Sequence, residues 1–147
     1  MCAYPKAPEH KIAEISKNNY LIYKIASKKF DCVNVTLIGD SAGGTLVIAL
    51  TQRLIRNNIC LPREIVLILP VLDASLQNIE IDEIDKKDLM LSRNGVLSAK
   101  QMCVDDGNLQ QLSISPLNGS FEGFPPTYLF VAENDITYPD QILFHKN

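Results

Sequence analysis

The sequence predicts an α/β fold, a mainly parallel sheet with flanking helices, and two observations support this fold class. The apolar runs 65–69 and 127–132 show no alternation of apolar and polar residues, which is typical of strands buried on both faces of a parallel sheet. Helical patterns alternate with the predicted strands. Strands that alternate with helices usually form one sheet with right-handed crossovers.

The first half of the chain predicts a helix, a strand and a second helix. Apolar residues recur at helical spacing from Lys11 to about Lys29, with polar residues on the other face, so an amphipathic surface helix is expected there. The β-branched run 33–39 predicts the first strand. It leads through a sharp turn into the apolar segment 45–57, which ends in basic residues and asparagines as helices often do.

The second half predicts an interruption of the sheet. Region 76–112 is more polar and contains an acidic run, so we interpret it as a short cap-like excursion with a helix at about 98–111. After the strand at 127–132, a last helix is expected to start near Pro139. At 147 residues, of which 46% are hydrophobic, the chain is expected to form a single domain over residues 1–147.

Charge and cysteine content restrict the possible partners and location. The net charge of −3 provides no basic field, so nucleic acid and anionic membranes are not expected partners. The apolar stretches are too short for a membrane span. The four cysteines form no C-x-x-C pair, which favours reduced thiols in a cytoplasmic protein over a zinc site or a redox motif.

The sequence G-D-S-A-G-G at 39–44 is the most informative motif. It contains G-x-S-x-G between a predicted strand and a predicted helix, the context in which this pattern is typical of a serine nucleophile. A strained turn there would lift the Ser41 hydroxyl above the sheet. The backbone N–H of Ala42 would point toward a developing oxyanion at the start of the helix.

Two other interpretations of the glycine-rich turn are weaker. A phosphate cradle is disfavoured because no lysine follows the glycines and the sequence contains no G-x-G-x-x-G. A trypsin-like protease also uses a Gly-Asp-Ser-Gly-Gly turn, but its histidine and aspartate precede the serine on an all-β scaffold. Here His10 and Asp31 are the only histidine and aspartate upstream of the motif, and a long helix follows it.

A catalytic acid and base should follow Ser41 in the chain order serine, acid, histidine. Asp135 comes just after the third strand, at the edge where active-site groups gather, and it is the preferred acid, with Asp73 as the alternative. The order rule excludes His10. His145 lies only ten residues after Asp135, which places it on the following helix rather than beyond the next strand, so the base is expected to be missing.

Five segments together resemble the hormone-sensitive-lipase-like esterases, the α/β-hydrolase fold-3 group. They match that family's Y-R-L-A-P-E-H segment, its G-D-S-A-G-G elbow, and its later S-P, P-P and D-x-L segments in the same order. In this sequence they are Y-P-K-A-P-E-H at 4–10, G-D-S-A-G-G at 39–44, S-P-L at 115–117, F-P-P-T-Y at 124–128 and N-D-I at 134–136.

The resemblance implies a partial α/β-hydrolase fold and a carboxylic ester as the small-molecule substrate. Ser41 would be the nucleophile and Asp135 the triad acid, and the chemistry would need no metal or organic cofactor. The family's H-G-G-G loop and its catalytic histidine have no counterpart in this sequence, so the chain is expected to be a domain truncated at both ends. The oligomeric state is not implied.

Three functions are therefore open. The first is ester hydrolysis, impaired in this chain by the missing base. The second is a non-catalytic remnant, or a fragment that associates with a partner chain, and the third is another reaction on the same fold, such as amide hydrolysis or acyl transfer. Truncation should leave the strand at 33–38 with unpaired backbone groups and strip apolar cover from the helix at 45–57, which predicts poor solubility or a molten state.

Overall fold

The computed structural model describes residues 2–146, and its regular elements alternate as the sequence predicts. Short 3-10 turns span Cys32–Asn34 and Pro116–Asn118. In chain order, the helices and strands are α1 (Ile12–Phe30), β1 (Thr36–Asp40), α2 (Ala42–Arg56), β2 (Glu64–Ile68), α3 (Ile81–Ile84), α4 (Arg93–Gln101), β3 (Thr127–Phe130) and α5 (Tyr138–His145).

The three strands form one parallel sheet in the order β1-β2-β3. Ile38 lies beside Val66, which lies beside Tyr128. Within the described residues β1 pairs only with β2, so its outer edge carries unpaired backbone groups, as the sequence predicts. Because the strands are parallel, their carboxyl ends lie at one edge of the sheet.

One face of the sheet is covered by α2, and α1 packs on the outside of α2. Ile65 and Leu67 of β2 are fully buried against Val47 and Ile48 of α2. On its other side, α2 buries Leu54 in contact with Tyr23 of α1. The expectation that this helix would lose apolar cover is therefore wrong, because α1 and the sheet enclose it from both sides.

The opposite face of the sheet is open, which corrects the prediction that the strands are buried on both faces. Ile38 is 66% exposed, Tyr128 54%, Phe130 58% and Ile68 37%. These side chains alternate with the buried ones, so they share one face and form an apolar surface across all three strands. We call the surface made by these four side chains the open sheet face.

The excursion between β2 and β3 contains α3 and α4 and adds no strand to the sheet, as predicted. The predicted helix at about 98–111 is wrong in its bounds, because α4 starts at Arg93 and ends at Gln101. Ser92 caps its start by accepting a hydrogen bond from the Gly95 N–H. Beyond α4, Gly107 has a φ of 70° and the Asp106 carboxylate accepts from the Asn108 N–H, so local turns replace the helix.

The expectation that all thiols are reduced is also wrong. Cys32 and Cys60 form a disulfide with a Cα–Cα distance of 6.1 Å, while Cys2 and Cys103 are free. The two cysteines are separated by 28 positions in the sequence, so no local motif indicated the pairing. The bond joins the turn before β1 to the segment before β2, and therefore fastens the end of α1 to the start of the sheet.

Asp140 in α5 is a buried carboxyl group with one unpaired oxygen. It is 2% exposed and accepts a hydrogen bond from the Asn78 side chain at 2.9 Å, yet its second carboxylate oxygen has no partner. Burial raises the pKa of Asp140 to about 6, with Asp73 adding to the rise and Asn78 opposing it. The ionised form is therefore destabilised in the fold.

We predict that polar substitution on the open sheet face reduces self-association. The double variant Ile38→Thr/Phe130→Thr removes two large apolar side chains that are more than half exposed, so little packing is lost. Sedimentation velocity should show less concentration-dependent association than in the unaltered chain. Ile25→Thr, which changes a side chain 69% exposed on α1, is the matched control and should have a smaller effect.

Equal association of the double variant and the unaltered chain would contradict this account. A sharp cooperative melt from an unassociated monomer of the unaltered chain would do the same, because an apolar surface of this extent should not remain free in water.

We predict that Asp140→Asn stabilises the chain at neutral pH. The folded-state pKa lies above the ordinary value of 3.8, so the folded chain holds this proton longer than the unfolded chain does. The free energy of unfolding then falls as the pH rises from about 4 to about 6. Asparagine cannot ionise, so the variant avoids this loss. Urea unfolding at about pH 7 should show a free energy of unfolding that is higher by about 1–2 kcal/mol than that of the unaltered chain.

The gain should vanish near pH 4, where Asp140 is protonated in the fold. Asp105→Asn, at an exposed position, is the control and should give no comparable gain. A gain of the same size at both pH values would show that the buried charge is not its cause.

Candidate functional site

Ser41 forms a sharp turn between β1 and α2, as the sequence predicts. β1 ends at Asp40 and α2 begins at Ala42, so a single residue connects the two elements. Its φ of 50° and ψ of −116° lie in a region that residues with a side chain rarely adopt. Two backbone hydrogen bonds join the turn to the segment at the end of β2: the Ser41 N–H donates to the Ile68 carbonyl at 2.9 Å, and the Val71 N–H donates to the Ser41 carbonyl at 3.3 Å.

The turn leaves the Ser41 side chain free. Ser41 is exposed, and it occupies the N-cap position of α2 without donating or accepting a side-chain cap bond. Serine at this position commonly caps the helix through its hydroxyl. Here the backbone conformation turns the hydroxyl away from that role, and it has no hydrogen-bond partner in residues 2–146.

Gly39 allows the close approach of β1 and α2, and Gly44 allows the close approach of α2 and Pro70, which follows β2. A Cβ at Gly39 would lie 2.5 Å from the Gly43 carbonyl oxygen, and a Cβ at Gly44 would lie 2.6 Å from the Pro70 Cβ. A Cβ at Gly43 would meet nothing within 4 Å. The expectation that glycines on both sides of Ser41 make room for the turn therefore holds at Gly39, while the second crowded position is Gly44 rather than Gly43.

The first turn of α2 presents free backbone donors beside Ser41. Gly44 and Thr45 donate their N–H groups to the Ser41 carbonyl at 3.0 and 3.3 Å, whereas the Ala42 N–H has no acceptor in the described part of the chain. Unpaired N–H groups at a helix start carry a partial positive charge. The Ala42 N–H can therefore hold an anionic oxygen on a group bonded to Ser41.

Asp135 lies in the loop between β3 and α5, at the same edge of the sheet as Ser41. Its carboxylate accepts hydrogen bonds from the Thr137 N–H at 2.8 Å and from the Thr137 hydroxyl. Its own N–H donates to Ala132 and its carbonyl accepts from Tyr138. These bonds fix the loop, and the half-buried carboxylate keeps acceptor capacity for a further donor.

Asp88 fixes the same loop from the excursion, and sequence reasoning missed it. Its carboxylate accepts from the Ile136 N–H at 2.9 Å and from the N–H groups of Met90 and Leu91. Burial acts to raise the pKa of Asp88, but these three donors outweigh it and hold the pKa below its usual value. Since Ile136 adjoins Asp135, an ionised Asp88 ties the excursion to the candidate site.

The alternative acid, Asp73, takes part in a local network. It accepts from the Ser75 N–H at 2.8 Å, from the Ser75 hydroxyl, and from the Ser115 hydroxyl at 3.1 Å. Ser115 in turn accepts from the Ala74 N–H at 2.7 Å. These bonds order the segment that follows β2, so Asp73 has a structural explanation that needs no catalytic role.

Neither histidine makes a hydrogen bond to Ser41 or Asp135 within the described residues. His145 is the exposed last residue of α5, on the helix as predicted. His10 precedes α1 and pairs with Glu14 at 2.9 Å. β2 separates the strands that carry Ser41 and Asp135, which places those strands about 10 Å apart, so an imidazole between the two side chains would have to come from elsewhere.

The described residues contain neither a membrane-spanning helix nor a metal-binding cluster. No helix within 2–146 is long and apolar enough to cross a membrane. No group of three or more histidine, cysteine, aspartate or glutamate side chains in that range is arranged to hold a metal ion.

Solved structures of esterases superpose on nearly all of this chain, and in each case the matched part is about half of the other protein. A Staphylococcus aureus protein provisionally described as an esterase superposes with a TM-score of 0.93 at 35% identity, over 97% of this chain and 49% of that one. A bacterial esterase of the hormone-sensitive lipase family superposes with a TM-score of 0.91, over 97% of this chain and 48% of that one. At 24% identity, this second likeness shows the fold alone.

Two proteins with similar sequences are named as an esterase and a lipase. An esterase of Acinetobacter venetianus is 28% identical over 145 residues, covering 97% of this chain and 48% of the relative. A triacylglycerol lipase of Mycobacterium tuberculosis is 31% identical over 102 residues, covering 69% of this chain and 19% of the relative. The alpha/beta hydrolase fold family matches over residues 1–147. The chain therefore belongs to the α/β-hydrolase fold family, and it spans about half the length of the esterase relative it matches.

Proposed function

We propose that this chain carries the nucleophile half of a serine esterase that hydrolyses carboxylic esters. The observation that carries the proposal is the turn at Ser41, where a strained backbone conformation leaves an unbonded, exposed hydroxyl next to a free helix N–H. Such an arrangement serves acyl transfer, because the hydroxyl can attack a carbonyl carbon while the N–H holds the oxyanion. The names of the esterase and lipase relatives agree with this reaction.

Each residue has one part in the proposed mechanism. The Ser41 oxygen attacks the ester carbonyl, and a histidine base takes the hydroxyl proton. The Ala42 N–H stabilises the tetrahedral oxyanion, and one such donor is worth about 3–4 kcal/mol in the transition state. Asp135 orients the histidine and stabilises its protonated form. Water then releases the acyl group from Ser41.

The base is not supplied by residues 2–146, so we propose that the chain alone is impaired. His10 is partly exposed and pairs with Glu14, His145 is exposed at the end of α5, and neither has a hydrogen bond to Ser41 or Asp135 within residues 2–146. A second candidate function follows from this absence and from the open sheet face, namely a fragment that acts only when a partner chain completes the domain. A cytoplasmic location remains a prediction, and the Cys32–Cys60 disulfide weighs against it, since disulfides persist mainly in oxidising compartments.

A chimera tests the proposed nucleophile. The chain would replace the matched half of the Staphylococcus aureus relative, which restores the flanking segments at 35% identity. We expect hydrolysis of p-nitrophenyl butyrate and labelling by a fluorophosphonate probe, both abolished by Ser41→Ala. Asp135→Asn should lower kcat by about four orders of magnitude, because the histidine would lose its orientation.

Ser98→Ala, at an exposed serine on α4, is the matched control and should label like the unaltered chimera. Labelling that persists in a folded Ser41→Ala chimera would overturn the assignment of the nucleophile. The 147-residue chain should show near-background turnover, and turnover by it alone at the rate of the chimera would contradict the proposed impairment.

A further inference from the structure

A buried glutamine on α5 connects the loop that carries Asp135 to the segment that follows β2. Gln141 is 0% exposed. Its side-chain amide nitrogen donates to the Thr137 hydroxyl at 2.6 Å and to the Pro70 carbonyl at 3.3 Å. Because a carbonyl oxygen can only accept, the contact with Pro70 fixes which end of the amide faces these two partners. The amide therefore acts as a donor to both.

The bond from Gln141 determines how Thr137 contacts Asp135. The buried Thr137 hydroxyl accepts from the amide, so its own proton is available to another acceptor. That acceptor is Oδ1 of Asp135, which also accepts from the Thr137 N–H at 2.8 Å. Two donors on Oδ1 orient the carboxylate, and Oδ2 has no partner within residues 2–146. Oδ2 is therefore the oxygen that is left for a histidine.

The other contact of Gln141 leads to the Ser41 turn. Pro70 is followed directly by Val71, whose N–H donates to the Ser41 carbonyl at 3.3 Å. The Val71 carbonyl accepts from the Thr45 hydroxyl of α2 at 2.5 Å, so this segment is bonded to the turn and to the helix behind it. One side chain thus bonds both to the loop of the proposed acid and to the segment that supports the proposed nucleophile.

We propose that Gln141 and Thr137 are positioning residues for Asp135. Thr137 orients the carboxylate, and Gln141 sets the place of Thr137 relative to the Ser41 turn. A displacement of about 1 Å in an active site can cost about a hundredfold in rate. Both residues are buried and do not touch the substrate, so their loss should lower kcat and leave KM nearly unchanged. This inference rests on the proposed function, because it concerns the acid of the same site.

Substitutions in the chimera test this role. Thr137→Val keeps the shape of the side chain and removes the hydroxyl, and Gln141→Met keeps the length and removes both donors. We expect each variant to lower kcat for p-nitrophenyl butyrate about ten- to a hundredfold, with KM changed by less than about twofold. Thr137→Ser retains the hydroxyl and should keep most of kcat. In an Asp135→Asn background, Thr137→Val should have little further effect, because both changes act through one carboxylate.

Two buried residues of α2 provide matched controls. Gln52 is 4% exposed, and its amide nitrogen donates to two backbone carbonyls. Thr51 is buried, and its hydroxyl donates to the Val47 carbonyl at 2.8 Å. Gln52→Met and Thr51→Val remove the same groups from the fold without changing a contact of Asp135. They should lower stability in urea and leave kcat nearly unchanged.

Hydrogen exchange followed by NMR tests the positioning without any turnover. The Thr137 N–H donates to Asp135, so loosening of this contact should expose it to exchange. We expect Gln141→Met in the chimera to speed exchange of the Thr137 N–H at least about tenfold, whereas Gln52→Met should leave it unchanged. Unchanged exchange in Gln141→Met would overturn the inference whether or not the chimera is active.

The activity results separate this inference from the proposed function. In an active chimera, a kcat unaffected by Thr137→Val and Gln141→Met would overturn the inference, while Ser41-dependent hydrolysis would still support the nucleophile. Equal losses of kcat in the two α2 controls would also overturn it, because any buried polar group would then have the same effect. An unaltered chimera without hydrolysis would instead reject the proposed function and leave Gln141 with a structural role only.

Discussion

The close contact between β1 and α2 at Gly39 is the constraint on which the rest of the structure depends. Because the Gly39 backbone lies against the Gly43 backbone, one residue can connect the strand to the helix, and that residue is Ser41. The same contact directs the first N–H groups of α2 toward the carboxyl edge of the sheet. The exposed Ser41 hydroxyl and the unpaired Ala42 N–H both follow from this packing.

Within the described residues, helices pack against only one face of the sheet that carries this turn. α2 and α1 cover one face of the sheet, and the disulfide fastens the end of α1 to the segment before β2. The other face is open across all three strands, and β1 has a free edge. The described residues therefore support the Ser41 turn from one face and leave the other face of the sheet uncovered, which agrees with a chain that spans about half of its esterase relative.

Much of this arrangement could be predicted from the sequence because it is local. The G-D-S-A-G-G turn, the order of strands and helices, and the position of His145 on α5 follow from patterns within a few residues. The interactions that sequence reasoning missed join distant segments. Asp88 accepts a hydrogen bond from the Ile136 N–H across a separation of 48 residues, and Cys32 pairs with Cys60 across a separation of 28. The exposure of Phe130 was missed for a related reason, since an apolar strand does not reveal whether anything covers it.

Alanine substitution at the two glycines around Ser41 tests the central contact most directly. Gly39→Ala would place a Cβ 2.5 Å from the Gly43 carbonyl oxygen, whereas Gly43→Ala would place one in open space. Urea unfolding of the two variants should show Gly39→Ala destabilised by at least about 2–3 kcal/mol relative to Gly43→Ala. Equal stability of the two variants would contradict the account, because the strand and helix would then not need to touch for the Ser41 turn to form.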